Sequence, residues 1–209
     1  MSRATRTGLG FVLPPDWFVL DLRDDILLGR QIHGLVLRQV GRREEDATTR
    51  ARLRRQLHDT AEQAIRVGGV HLALSLMDVT GIPVPASLTT YHLDTAVTTL
   101  AGILDGAAHE GRVVEVVDGP LGEMARCVGV VRPDPAPSRP DDDASGPVPQ
   151  VRADYWIDAG PGHGITLLAF SSPLVDLADA MVELFESVVS TVHVFPEASV
   201  ENDEMTETP

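Results

Sequence analysis

The sequence predicts an α+β fold, a mainly antiparallel sheet with helices on its faces. Three observations lead there. Apolar runs of strand length come in neighbouring pairs joined by short glycine- or proline-containing turns, which marks hairpins rather than βαβ crossovers. Several longer stretches repeat apolar residues at spacings of three and four, the stripe of an amphipathic helix. Residues 165–170 are apolar on both sides of a strand, so that strand needs cover on both faces of its sheet. Together these describe an α/β/α sandwich.

Taken in order, residues 1–10 are polar and read as a loose N-terminus, and 11–13 as a short edge strand stopped by Pro14 and Pro15. Residues 17–22 alternate, with Trp17, Val19 and Asp21 opposite Phe18, Leu20 and Leu22, and predict a strand. Asp24 or Asp25 caps a helix carrying Ile26, Leu27, Ile32, Leu35 and Val36, although Gly29 and Gly34 cost it propensity. Gly41 breaks the chain. Glu44, Glu45 and Asp46 then lead a helix to about Val67, with Leu53, Leu57, Ala61 and Ile65 as its stripe and Gly68 and Gly69 as its stop. Residues 70–77 and 88–93 form a hairpin around the turn at 81–85. Asp94 caps a helix that uses Val97, Leu100, Ile103, Leu104 and Ala107 and ends at Gly111. A second hairpin pairs 112–117 with 123–131 across a turn at 118–120.

Residues 133–149 hold six prolines and three consecutive aspartates, and are expected to be an exposed disordered insertion. Residues 151–158 alternate, with Val151, Ala153, Tyr155 and Ile157 opposite Arg152, Asp154, Trp156 and Asp158. A glycine-rich turn, GPGHG, leads into 165–170. Ser171 and Ser172, with Pro173, are expected to cap the last helix, whose stripe is Leu174, Leu177, Ala178, Met181, Leu184, Phe185, Val188 and Val192. The acidic stretch 196–209 reads as a disordered tail. One domain over 11–195 results.

A formal charge of −14 argues against nucleic acid, whose binding rewards a basic footprint, and against anionic membrane surfaces. All 17 basic residues are arginine, which removes chemistry that requires an amine, and the GC-rich codon signature points to an actinobacterial source. The single cysteine, Cys127, allows no internal disulfide, and the N-terminus lacks the apolar core of a signal peptide, so a cytoplasmic setting is expected.

The chemistry-bearing patterns are thin. GPGHG joins two strands instead of opening a helix, so it reads as a hairpin loop and not a phosphate loop. None of the seven histidines shows a tight metal-ligand spacing; His71 and His92 fall on neighbouring strands and, with an acid such as Asp78, are the nearest approach to a metal set. Ser171 lacks the glycines of a nucleophile elbow. Cys127 reads as a core thiol. The arginines from Arg42 to Arg55 make the one basic patch, and a solvated helix face is the plainer account of it. No cofactor, metal or catalytic residue is expected.

The Pro-Pro-Asp-Trp element with its strand, and the closing LLAFSSPLVDLADAMVELFESVVSTV, resemble a group of uncharacterised actinobacterial proteins, and the arrangement over residues 11–194 is similar to the Mog1/PsbP-like sandwich. That resemblance implies a binding or accessory role. The expected function is a non-enzymatic cytoplasmic interaction protein, an adaptor or chaperone-like factor. Its partner surface would comprise Asp176, Asp179, Glu183 and Glu186 on the outer face of the last helix, with Arg50 and Arg54. The alternative is a small-ligand or lipid-binding protein using a cleft near Trp17 and Trp156.

Overall fold

The computed structural model describes residues 9–93, 98–109, 113–132, 148–158, 160 and 164–195. The expected cap at Asp94, the body of the proline-rich insertion (133–147), most of the GPGHG turn and the tail 196–209 lie outside the described residues.

The elements run β1 (Leu9–Gly10), β2 (Trp17–Asp21), α1 (Asp25–Val40), a 3-10 turn (Glu44–Asp46), α2 (Ala47–Arg66), β3 (Gly69–Ser75), a small ribbon of β4 (Asp78–Val79) and β5 (Ile82–Pro83), and β6 (Ser87–Leu93). They continue with α3 (Leu100–His109), β7 (Glu115–Gly119), β8 (Gly122–Val131), β9 (Gln150–Asp158), β10 (Ile165–Ser172), a 3-10 turn (Val175–Leu177), α4 (Ala178–Val189) and β11 (His193–Val194). Seven strands form one sheet in the order β2-β3-β6-β10-β9-β8-β7, and every described pairing is antiparallel. The α+β class and antiparallel sheet are those the hairpin spacing predicts.

Both faces are covered. On one, α4 sets Met181, Phe185, Val188 and Val189 against Ala153, Tyr155, Ile157, Leu168 and Phe170. Phe185 stacks on Phe170 at 4.7 Å, and Tyr155 meets Phe170 edge-on at 5.9 Å, the offset and T-shaped geometries that aromatic quadrupoles favour. On the other face, α1 and α2 close over Leu20, Leu22 and Leu72, and α3 packs Leu100, Ile103 and Leu104 near Ala125, Trp156 and Ile165. The ladder shows that these last two clusters share a face: Leu72 lies opposite Thr89, Thr89 opposite Ala169, Ala169 opposite Asp154, and Asp154 opposite Cys127. Side chains in one such row project to one side.

Several local expectations are corrected. Residues 11–13 do not form a strand; Leu9 and Gly10 do, pairing with Val194 and His193. They escape the two prolines that leave 14 and 15 without N–H donors. Asp24, not Asp25, is the cap of α1, accepting from the N–H groups of Ile26 and Leu27. Ile65 is exposed on α2 and Ala64 takes the inward position, because a four-residue repeat drifts off the face of a 3.6-residue helix. Ser171 and Ser172 do not cap α4. Both remain in β10, where Ser171 shares a hydrogen bond with Ser87 and the Ser172 hydroxyl donates to Pro85 O while accepting from Leu174 N. The 3-10 turn that follows delays the helix and leaves Leu177 57% exposed.

Candidate functional site

One register row crosses the whole sheet on the α4 face: Asp21, His71, Thr90, Leu168, Tyr155, Arg126 and Glu115, one residue from each strand. Its middle is buried under α4. Its two ends are polar, and each gathers further groups.

At the β2 end, Arg23 holds Asp21 through two side-chain bonds, Nε to Oδ1 at 2.8 Å and Nη2 to Oδ2 at 2.6 Å. The pairing keeps the Asp21 carboxyl well below the usual carboxylate range. His71 Nδ1 lies 3.2 Å from the buried Thr90 hydroxyl, and His92 Nδ1 lies 3.2 Å from the buried Thr166 hydroxyl. Burial lowers the His71 pKa, with the Arg23 charge adding to the effect, so the imidazole is held neutral. The sheet thus brings His71 and His92 to one face, but the acid beside His71 is Asp21. Asp78 sits in the β4–β5 ribbon and accepts from the Gly81 N–H. Among the described residues no group of three or more histidine, cysteine or carboxylate side chains is placed to hold a metal ion.

At the other end, Arg126 stands between two carboxylates, with Nη2 3.0 Å from Glu186 of α4 and Nη1 4.0 Å from Glu115 of β7. The Arg126 Nε and the Tyr155 hydroxyl are both buried, and neither meets a partner at good hydrogen-bond geometry, although the hydroxyl lies against the Arg126 guanidinium. Tyr155 is 0% exposed. Burial, and then the negative Glu186, push its pKa up to about 12, so the phenol keeps its proton and remains a donor. Next to this group an open cleft of about 380 Å³ runs between α4 and the β7–β8 turn. Val117, Pro120, Met124 and Val189 supply its apolar wall, and Asp118, Arg126, Glu186 and Ser190 its polar points. Its size lies within the roughly 300–1,000 Å³ of small-molecule sites.

The structure redistributes the residues singled out from sequence. Trp17 and Trp156 are both buried, but on opposite faces: Trp17 packs with the α4 cluster and Trp156 with the α3 cluster. The register sets this: Trp17 has the parity of Asp21, whose row reaches Tyr155 four pairings away, and Trp156 follows Tyr155 and so projects to the other face. Asp176, Asp179 and Glu183 are exposed, as expected of an outer surface. Glu186 departs from them and turns to Arg126. Arg50 donates to the carbonyls of Gly41 at 3.3 Å and Arg43 at 2.5 Å, tying down the loop between α1 and α2. Arg54 Nη2 lies 3.3 Å from His33 Nδ1 across the same helix pair.

Arg126 and Tyr155 were not foreseen as site residues. A signal existed: Arg126 falls between Met124 and Val128 at an inward position of an alternating strand, where a charge needs an explanation. Compared with known protein families, curated proteins and solved structures, the chain matches none.

Proposed function

We propose that this chain is an interaction protein, an adaptor or chaperone-like accessory factor of the cytoplasm, that takes an extended segment of a partner along the outer edge of β8. One observation carries the reading. β7 pairs with β8 only from Gly122 to Arg126, so among the described residues no strand pairs with 127–131 on that side. That open stretch presents Val128, Val130 and Val131, with Val130 54% exposed, and Val113 and Val148 are exposed as well. Unpaired strand edges with exposed aliphatic side chains are templates for an added strand. The acidic balance of the chain, with Glu115, Asp118 and Glu123 on the neighbouring hairpin, suits a basic segment.

No helix among the described residues is long and apolar enough to cross a membrane. The expected acidic surface at Asp176, Asp179 and Glu183 enters this proposal as a second contact zone that steers the partner.

The test is quantitative affinity capture from host lysate with the wild-type chain and with Val130→Arg. Val130 is exposed, so the substitution spares the core. A stoichiometric partner held by the wild type and lost from Val130→Arg supports edge pairing. Equal recovery by both, or none by either, ends the proposal.

A further inference from the structure

The edges of the sheet differ in which backbone groups they leave over. At β2 the N–H groups of Trp17 and Asp21 point away from β3, and both are taken, by Pro14 O at 3.1 Å and by Gln31 Oε1 at 2.9 Å. β7 carries Glu115 and Asp118, and charge on an edge strand guards against strand addition. The stretch of β8 beyond β7 has neither device. Val114 leaves the sheet to pack with the α3 cluster, so β7 begins only at Glu115, and residues 127–131, Cys-Val-Gly-Val-Val, are uncharged. The two-residue turn at 120–121 closes on the hydrogen-bonded pair Gly119–Gly122, and bonded pairs recur at every second residue. Met124 and Arg126 therefore bond β7. Val128 and Val130 aim the same backbone groups to the same side, where no strand of the described residues lies.

That run is complementary to itself. We propose that a second copy of this chain pairs with it, β8 against β8, antiparallel about a two-fold axis at Gly129. The inference rests on the open edge invoked above and gives that edge a resting occupant, which a partner segment must displace. In this register Val128 of each copy lies opposite Val130 of the other, and the two exchange the N–H and C=O groups that face outward. Val128 and Val130 share the parity of Arg126, so the valines of both copies gather on the α4 face. Glycine meets glycine on the axis, and no side chain crowds the centre. Arg132, exposed at the end of β8, is brought to Glu115 of the second copy. The other edge pairings are poorer, since β2 offers spent donors and β7 against β7 gathers the acids of both copies. A two-fold pairing also closes on itself and leaves no edge for a filament. Five residues a side make a small interface, and each copy carries a formal charge of −14. The dimer is therefore weak, with a Kd on the order of 10–100 µM, and salt tightens it by screening.

The test is sedimentation equilibrium of the full chain at concentrations up to about 500 µM, well above the expected Kd. A reversible dimer is expected, tightening severalfold between about 0.05 M and 0.5 M sodium chloride, whereas a basic segment held at the acidic hairpin would respond in the opposite sense. Val130→Arg should weaken the dimer at least about tenfold. Cross-linking in a Cys127→Ser background reads the register. A Cβ added at Gly129 meets open space. Gly129→Cys sets like residues opposite each other in a non-hydrogen-bonded pair, with Cα atoms about 4.5 Å apart and within disulfide reach. It should oxidise to a covalent dimer far faster than Glu62→Cys, at an exposed position on α2. The native Cys127 would stand about 13 Å from its mate along the strands and should stay unlinked. A chain that is monomeric at the highest concentration, or Gly129→Cys that links no faster than Glu62→Cys, would overturn the dimer and leave the capture result standing. A dimer that forms while the wild type captures nothing ends the adaptor reading alone. The sedimentation arm uses the unaltered chain, so it decides the matter even if a cysteine variant fails to fold.

Discussion

Tyr155 shows how one hydroxyl can be at odds with its surroundings. Its ring is well placed, edge-on to Phe170 and covered by α4, yet its oxygen has no partner beyond the flank of Arg126 and Glu186. Tyr155→Phe keeps the ring and deletes the unsatisfied group. It is expected to leave stability unchanged or raise it by about 1 kcal/mol, measured by urea unfolding. A loss of more than about 1 kcal/mol would show that the hydroxyl has a partner after all. His71 gives a second prediction at this scale. Its folded pKa lies below the ordinary 6.5, and the groups that face it are Thr90, Asp21, Arg23 and His92. As pH falls below about 6.5 the unfolded chain takes up the proton first, so stability is complete above that value and declines as pH drops toward the folded pKa. Thermal midpoints measured from about pH 7.5 to 5 should fall, and His71→Gln should flatten the fall.

Among the elements, α4 carries the most. Phe185 is completely buried and stacked on Phe170, and Phe185→Ala should cost about 3–5 kcal/mol in chemical unfolding, with little of that recovered by relaxation between two close-packed layers. The stripe of α4 was legible in sequence because Met181, Phe185 and Val188 recur at helical spacing. The start of the helix was not. Ser171, Ser172 and Pro173 read as a cap and first turn, but the serines found better partners in Ser87 and Pro85 of the neighbouring β6 region, some eighty residues away. Local capping chemistry lost to a cross-strand contact that no local window contains. The strands were legible wherever alternation was clean, as in β9, where Tyr155 and Trp156 went to the faces their parity assigned. The same parity, carried across the ladder, rules out a shared cleft for Trp17 and Trp156, but the strand order needed to apply it follows from long-range pairing and not from spacing.

At the scale of the molecule, the two polar ends of one register row are kept apart by the apolar stretch under α4. The row was invisible in sequence, since it joins residues from position 21 to 168 that share nothing but their register. Glu186 was recognised as a surface acid, but its pairing with Arg126 depends on how α4 lies across β8 and β9. The chain also bears a formal charge of −14, and such excess repels itself more in the compact state than in the unfolded one. Raising sodium chloride from about 0.02 M to 0.3 M is therefore expected to raise the thermal midpoint by a few degrees, through screening at a Debye length that shrinks below about 10 Å. A midpoint that falls with salt would show that ion pairs such as Asp21–Arg23 outweigh the repulsion.

The pairing of β1 with β11 has one more consequence. Leu9 lies opposite Val194, so the chain enters and leaves the folded body at neighbouring points. A body with adjoining entry and exit can be spliced into a surface loop of a carrier protein without forcing the carrier's own strands or helices apart. It can equally be rewired, with Leu9 and Val194 bridged by a short linker and new ends opened at the exposed Thr80–Gly81 turn, and still be expected to close the same seven-stranded sheet.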